Sequence, residues 1–466
     1  MMTREARAQS NAFRNFEGTQ VHPLALTPDG TRLLAVNTPA ASLSVFQLTP
    51  GGPVLTAEIP VGFEPVSVAA RNDREAWVVN WLSDSVSIVD LATGNVVRTI
   101  EVGDEPTDVI FAGPGRANAF VCVSGGASLF TNFNTNTLGR GQVVVFDAAN
   151  PAAGQSVIEI FGKQPRALAR SADGSRVFVS VFESGNQTTV VPETVVSANG
   201  GLPPPSIPVT AGGTPPATSL IVKWNGSQWI DEMSRNWTSF IPYTLADIDL
   251  AVIDASGAGL PTASNITARV RGLGTHMGNM VFDPVSQRLL VVNLEDINSV
   301  RFEPVIRGRF QASRVSVLNA PAGTAPTLAS VSNLNAHVNE ANAAGTDAER
   351  ALSLALPADI ARSSDGTVYV AATSSAKVGA LDASGVVQTR ISVGNGPTGL
   401  AVDDARGRLY VLNRFDQTLS VVDTASKMQT AVVPVGFDIE PPAVRNGRRF
   451  LYDAASFSAH GTVSCA

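Results

Sequence analysis

Residues 61–103 contain the stretch that decides the fold: Val61-Gly62-Phe63-Glu64-Pro65-Val66-Ser67-Val68-Ala69, then Ala76-Trp77-Val78-Val79-Asn80, then Ser87-Ile88-Val89-Asp90, closing on Val102-Gly103. Each run is short, rich in valine and bounded by turn residues, which is the pattern of β-strands rather than helices. The same grammar returns along the chain. Val102-Gly103 is followed by Pro106, Phe161-Gly162 by Pro165 and Val393-Gly394 by Pro397, while Val435-Gly436 has its prolines later, at Pro441 and Pro442. Gly62 and Gly103 are 41 residues apart, Gly394 and Gly436 are 42 apart. That period suits four strands and three turns.

Further copies fill in the unit. Asp-Gly turns occur at Pro28-Asp29-Gly30, Ala172-Asp173-Gly174 and Ser364-Asp365-Gly366. Glycine takes positive φ there without steric cost. Second strands read Arg32-Leu33-Leu34-Ala35-Val36-Asn37, Arg288-Leu289-Leu290-Val291-Val292-Asn293 and Arg408-Leu409-Tyr410-Val411-Leu412-Asn413. Third strands end on Asp90, Asp147, Asp254 and Asp423, which are expected to cap turns through side-chain-to-backbone hydrogen bonds. A lone four-stranded sheet cannot bury both faces, and stacking sheets around an axis solves this. The expectation is an all-β, seven-bladed β-propeller of four-stranded antiparallel blades. Its units are 20–62, 63–103, 104–162, 163–274, 275–350, 351–394 and 395–436, preceded by an extension over 1–19.

Composition narrows the class. The 466 residues carry a net charge of −7, are 16% charged and 44% hydrophobic, and include 40 glycines and 29 prolines. The chain is too apolar for disorder and too rich in glycine and proline for a coiled coil. It lacks the basic footprint of a nucleic-acid binder and the ~18-residue apolar run of a transmembrane helix. The start, Met1-Met2-Thr3-Arg4-Glu5-Ala6-Arg7, has no apolar leader core.

Units three, four and five are long, with insertions at 125–140, 183–249 and 296–313 between second and third strands. A further excursion, 335–350, joins two units. Strand alternation puts all of these on one face, where partner contacts are expected. In the fourth unit, 197–217 reads as a Pro/Gly-rich linker. Trp224, Trp229, Trp237, Phe240 and Tyr243 follow within 20 residues. Two readings are open: a mini-core pinning the loop, or an aromatic docking patch formed by Trp224, Trp229, Trp237 and Tyr243.

Catalytic motifs are sparse. The four histidines are His22, His276, His337 and His460. His22 and His276 should sit near the channel as solvated side chains, and His337 is expected to be solvated in its insertion. No spacing points to a metal site, and neither G-x-S-x-G nor H-E-x-x-H is present. Cys122, within Ala119-Phe120-Val121-Cys122-Val123, reads as a small buried hydrophobe.

Leu409-Tyr410-Val411-Leu412-Asn413 and Ala76-Trp77-Val78-Val79-Asn80, with the Val-Gly-x-x-Pro junctions, resemble the YVTN-type β-propeller family over residues 20–436. The tail resembles something else. Residues 446–465 read Asn-Gly-Arg-Arg-Phe-Leu-Tyr-Asp-Ala-Ala-Ser-Phe-Ser-Ala-His-Gly-Thr-Val-Ser-Cys. They are similar to the opening of the di-haem cytochrome c peroxidase family, in which a short helix with G-R-x-L-F-x-D precedes G-T-x-S-C. Gly447, Arg448, Asp453, Gly461, Thr462, Ser464 and Cys465 match, and Phe450-Leu451 stands in inverted order. The resemblance implies that 437–466 is a linker and the start of a cytochrome domain, and that Cys465 is its first haem-linking cysteine. It also implies a longer chain, with the second cysteine and the histidine after Ala466. Haem c is then expected in the full-length protein and none in this portion. The implied protein is periplasmic or at the cell surface, with a protein partner or its own cytochrome domain docked on the loop face. The alternatives are a stand-alone binding propeller and a lactonase- or hydrolase-type propeller enzyme, which would need acids and histidines converging at a channel mouth.

Overall fold

The computed structural model describes residues 18–124, 140–204, 217–243, 245, 247–297, 311–339, 342 and 345–465. Seven four-stranded antiparallel blades succeed one another along the chain. Their first and last strands are Leu24–Leu26 and Gly52–Pro60, Pro65–Ala70 and Asn95–Glu101, Pro106–Ala112 and Gln155–Phe161, Lys163–Arg170 and Ile266–Val270, His276–Asp283 and Thr327–Asn333, Pro357–Arg362 and Val387–Ser392, and Pro397–Asp403 and Met428–Pro434. Each blade's first strand is innermost and lies against the next blade's first strand, and the seventh lies against the first. The chain is a closed seven-bladed β-propeller.

Hydrophobic burial drives the closure. A separate apolar cluster fills each of the seven blade-to-blade interfaces. Between blades two and three, Trp77 meets Phe111 edge-on at 5.4 Å. At the seam, Leu33, Phe46 and Leu48 of blade one pack against Tyr410, Leu412 and Leu419 of blade seven. Among the described residues, no strand is exchanged across this seam. Instead, Arg406 Nη1 donates to the Gly30 carbonyl at 2.8 Å, and Arg408 Nη2 to that of Pro50 at 2.8 Å. The outermost strands face solvent, as in Asn95–Glu101.

The junction signature has a steric cause. The Gly62, Gly274 and Gly394 backbones press against an asparagine at or near the end of the second strand of their neighbouring blade. A Cβ on any of them would stand 2.6 Å from Asn80, Asn293 or Asn413. Those asparagines cross-link strands two and three: Asn80 Nδ2 donates to Ser85 and Ser87, Asn413 Nδ2 to Thr418 and Ser420, and Asn293 Nδ2 to Ser316. Asp90, Asp147, Asp254 and Asp423 each accept a backbone N–H two or three residues on, closing the outer turns.

Within 183–249 a small sheet, Thr188–Val191, Leu220–Trp224 and Trp229–Ile230, stands on the propeller. Most of 125–140 and 296–313, the middle of 197–217 and nearly all of 1–19 lie outside the described residues. Among the described residues, no helix is long and apolar enough to cross a membrane.

Candidate functional site at the central channel

The innermost strands of blades two to seven each carry a break in register near the channel. Such a bulge turns side chains and N–H groups off the ladder. The residues presented there include Ser67, Asp108, Asn279 and Asp359, and with His22 from the strap before blade one they join into one network across the axis.

His22 Nδ1 lies 2.8 Å from Asp108 Oδ2, and its Nε2 is 3.9 Å from Asp359 Oδ1. Asp108 also accepts from Ser67 Oγ at 2.6 Å and from the Leu168 N–H at 2.7 Å. Asp359 accepts from Asn279 Nδ2 and the Leu400 N–H, each at 2.7 Å. Both carboxylates are buried. Burial opposes charge on His22, but the charge and hydrogen bond of Asp108, aided by Asp359, outweigh it and raise its pKa to about 9. Burial pushes Asp359 up, while the His22 charge and the hydrogen bonds from Asn279 and backbone N–H groups pull it back. His22 is therefore an ion-paired member of a buried network, not the solvated histidine the sequence suggested. The network's bonds come from six blades and the strap before blade one, so it staples the ring across its middle. Among the described residues, no group of three His, Cys, Asp or Glu side chains is arranged to hold a metal ion.

The network separates two cavities. On the turn face lies one of about 450 Å³, lined by His22, Arg116, Arg170 and Phe282. On the loop face lies one of about 320 Å³, lined by Arg166, Phe182, His276, Leu356, Arg414, Phe415 and Tyr452 among others. His276 Nε2 lies 3.2 Å from Asp296 Oδ2, and its ring is tilted over Phe182 at 5.2 Å. The Arg166 guanidinium stacks on the Phe182 ring, 4.3 Å from its centre. Burial alone draws Arg166 down to about 10. Beside this mouth, burial raises Asp249 to about 7 and Asp247 to about 6. His337 is half-buried, with Nε2 at 3.0 Å from the Glu349 carbonyl and Nδ1 at 3.2 Å from Arg390.

The aromatic cluster is divided. Trp229 and Trp237 are buried with Val191, Val196, Leu220 and Val222 in the insertion's own core. Trp237 Nε1 donates to Asp231 Oδ2 at 3.0 Å. Trp224 packs half-buried at 5.5 Å from Trp229. Tyr243 is exposed, and its hydroxyl meets Thr189 Oγ1 at 2.7 Å. Cys122 is buried and Cys465 exposed, both as free thiols.

The tail docks on the loop face. A helix, Pro442–Tyr452, is followed by a short one, Ala454–Phe457, capped by Asp453. Arg448 makes a buried two-point ion pair with Glu440 and lies over the Phe415 ring at 5.3 Å. Tyr452 packs on Phe415 at 4.5 Å, which brings the tail to the channel mouth. Beyond it, Arg350 Nη1 donates to the Ala459 carbonyl at 3.0 Å and Ser374 Oγ to Ser464 Oγ at 3.1 Å. Gly461, at φ +71°, lies where a Cβ would meet Ser353 Oγ at 2.9 Å.

Sequence reasoning missed Asp108 and Asp359. A signal was present, because both stand two residues after a junction proline, in Pro106-Thr107-Asp108 and Pro357-Ala358-Asp359. Arg166, one residue after Pro165, had no such signal.

No protein-family profile matches the chain, and no curated protein matches it in sequence. Its fold is shared with solved structures. Hydrazine synthase from Kuenenia stuttgartiensis superposes with a TM-score of 0.59 at 16% identity, covering 90% of this chain and 99% of that one. A functionally unknown protein from Desulfotomaculum acetoxidans DSM 771 superposes with a TM-score of 0.50 at 15% identity, covering 86% and 94%. At these identities the likeness establishes the propeller fold alone.

Proposed function

We propose that the chain is the propeller portion of an extracytoplasmic redox protein, a rigid, itself non-catalytic scaffold on which a c-type cytochrome domain beginning in 437–466 is docked. The observation that carries this reading is the seating of the tail. The residues that resemble the cytochrome opening are also those held on the propeller: Arg448, paired within the tail to Glu440, lies over Phe415 of blade seven, and Gly461 and Thr462 are packed at blade six. Close by, Phe450, Leu451 and Phe457 are exposed, and the Cys465 N–H is tied to the Leu451 carbonyl at 2.9 Å. An apolar patch of this kind is a surface for the rest of a domain to cover.

Haem c, linked to Cys465 and to a second cysteine beyond Ala466, would supply electron transfer. The residues present offer one exposed thiol and no adjacent histidine, so on their own they do not hold the group. Covalent haem attachment takes place outside the cytoplasm, so this reading carries with it a periplasmic or cell-surface location. The propeller's part is to fix the position of Cys465 relative to the loop face and channel mouth.

The reading frame after the Ala466 codon tests this. Two residues after Cys465, then Cys-His, is the expected continuation. A stop codon, or a continuation without that pair, overturns the cytochrome reading and leaves a stand-alone binding propeller.

A further inference from the structure

The 320 Å³ cavity at the loop-face mouth carries a charge imbalance that the scaffold reading does not use. Two arginines and a histidine line it, and among the described residues no carboxylate does, in a chain whose net charge is −7. The other polar groups are committed elsewhere. Asn293 Nδ2 donates to Ser316, Gln311 Nε2 to Asp296, Thr373 Oγ1 to the Pro397 carbonyl and Thr398 Oγ1 to Gln20. Arg166 differs from them. Its guanidinium rests on Phe182 and makes no hydrogen bond or ion pair with any described residue. The Nδ1 of His276, on the same wall, is also buried without a partner. A guanidinium partly withdrawn from water and left without a counter-ion is costly unless something supplies one. Stacking on an aromatic ring fixes its plane and leaves its fork of N–H donors pointing outward, which suits two-point recognition of a planar carboxylate. The remaining walls, with Leu294, Leu356, Pro357 and Phe415, are apolar.

We propose that the loop-face mouth of the channel binds a small organic carboxylate, with the carboxylate group paired to Arg166 and an apolar or aromatic body among Phe182, Leu356 and Phe415. A bare inorganic anion would satisfy Arg166 but leave the apolar walls unused. A neutral apolar molecule would fill the walls and leave Arg166 unpaired.

Titration calorimetry of the 466-residue chain with benzoate, benzamide and inorganic phosphate separates these cases. Benzoate is expected to bind at least about tenfold more tightly than benzamide, because a charge-assisted pair is lost with the neutral amide. It is also expected to outbind phosphate. Arg166→Gln should weaken benzoate about tenfold or more and leave benzamide unchanged. Ala358→Leu, which narrows the cavity without touching a charge, should weaken both organic probes. Equal binding of benzoate and benzamide to the wild-type chain overturns the proposal, and that comparison needs no variant to fold. Phosphate binding as tight as benzoate overturns the organic part and leaves a simple anion site. Benzoate binding that survives Arg166→Gln in a folded variant places the ligand elsewhere and also overturns it. None of these results bears on the reading frame beyond Ala466.

Discussion

Replacing His22 by glutamine should remove a pH-dependent part of the propeller's stability. His22 carries a pKa of about 9 in the fold against 6.5 when unfolded. A raised histidine pKa means the folded state holds the proton more tightly. The stabilisation is fully present below about pH 6.5, declines as pH rises and is gone above about pH 9. A displacement of that size corresponds to roughly 3 kcal/mol at most. The side chain is 27% exposed, so solvent screening brings the value below that ceiling. Urea denaturation of wild type and His22→Gln at pH 6 and pH 9.5 reads it. At pH 6 the variant should be less stable by about 2–3 kcal/mol, and at pH 9.5 the two should nearly coincide. Nitrogen-detected NMR gives an independent reading, since the chain has four histidines. One of them should titrate near pH 9 and vanish in the variant. If all four titrate below pH 7, or if the stability gap does not close with pH, the ion-paired network is refuted.

Other perturbations test other levels of the structure. Gly394→Ala puts a Cβ 2.6 Å from Asn413 and should cost about 1–3 kcal/mol, whereas Gly257→Ala, which meets nothing within 4 Å, should be near neutral in the same denaturation assay. Asp249, raised to about 7 by burial, has a folded pKa above its unfolded value of 3.8. Its contribution is therefore favourable only at low pH and is lost as pH rises through 7, so Asp249→Asn should raise stability at pH 8 by on the order of 2 kcal/mol and give no gain at pH 4. Glu440→Ala takes the two-point carboxylate partner from the buried Arg448, at a cost of up to about 3–5 kcal/mol. The expected result is release of the tail, read as rapid protease cleavage within 437–465 while the blades stay intact.

The repeat was legible because closure imposes the same local demands on every blade. A junction glycine must lie against an asparagine, and an aspartate must close the outer turn, so those residues return at a fixed spacing. The seam between blades one and seven followed from the same units without further information. The channel network was not legible as a site, since His22, Asp108 and Asp359 lie far apart in sequence, His22 in the strap before blade one and the two aspartates at equivalent positions of blades three and six. Asp108 and Asp359 also interrupt otherwise apolar strands, and only the register breaks turn them to the axis. The tryptophan cluster was visible as a cluster. Its division into buried Trp229 and Trp237 and exposed Tyr243 depends on the insertion's small sheet, which composition does not encode. Arg166 looked like any basic residue, because its isolation from carboxylates is a property of the assembled mouth.

The most direct measurement of the account is the pyridine haemochrome spectrum of the full-length protein, produced where covalent haem attachment operates, alongside its Cys465→Ala variant. The account predicts the absorption of a c-type haem that stays with the denatured chain, and loss of a covalent link in the variant. A full-length protein that carries no covalently bound haem, or one whose haem is indifferent to Cys465, contradicts it.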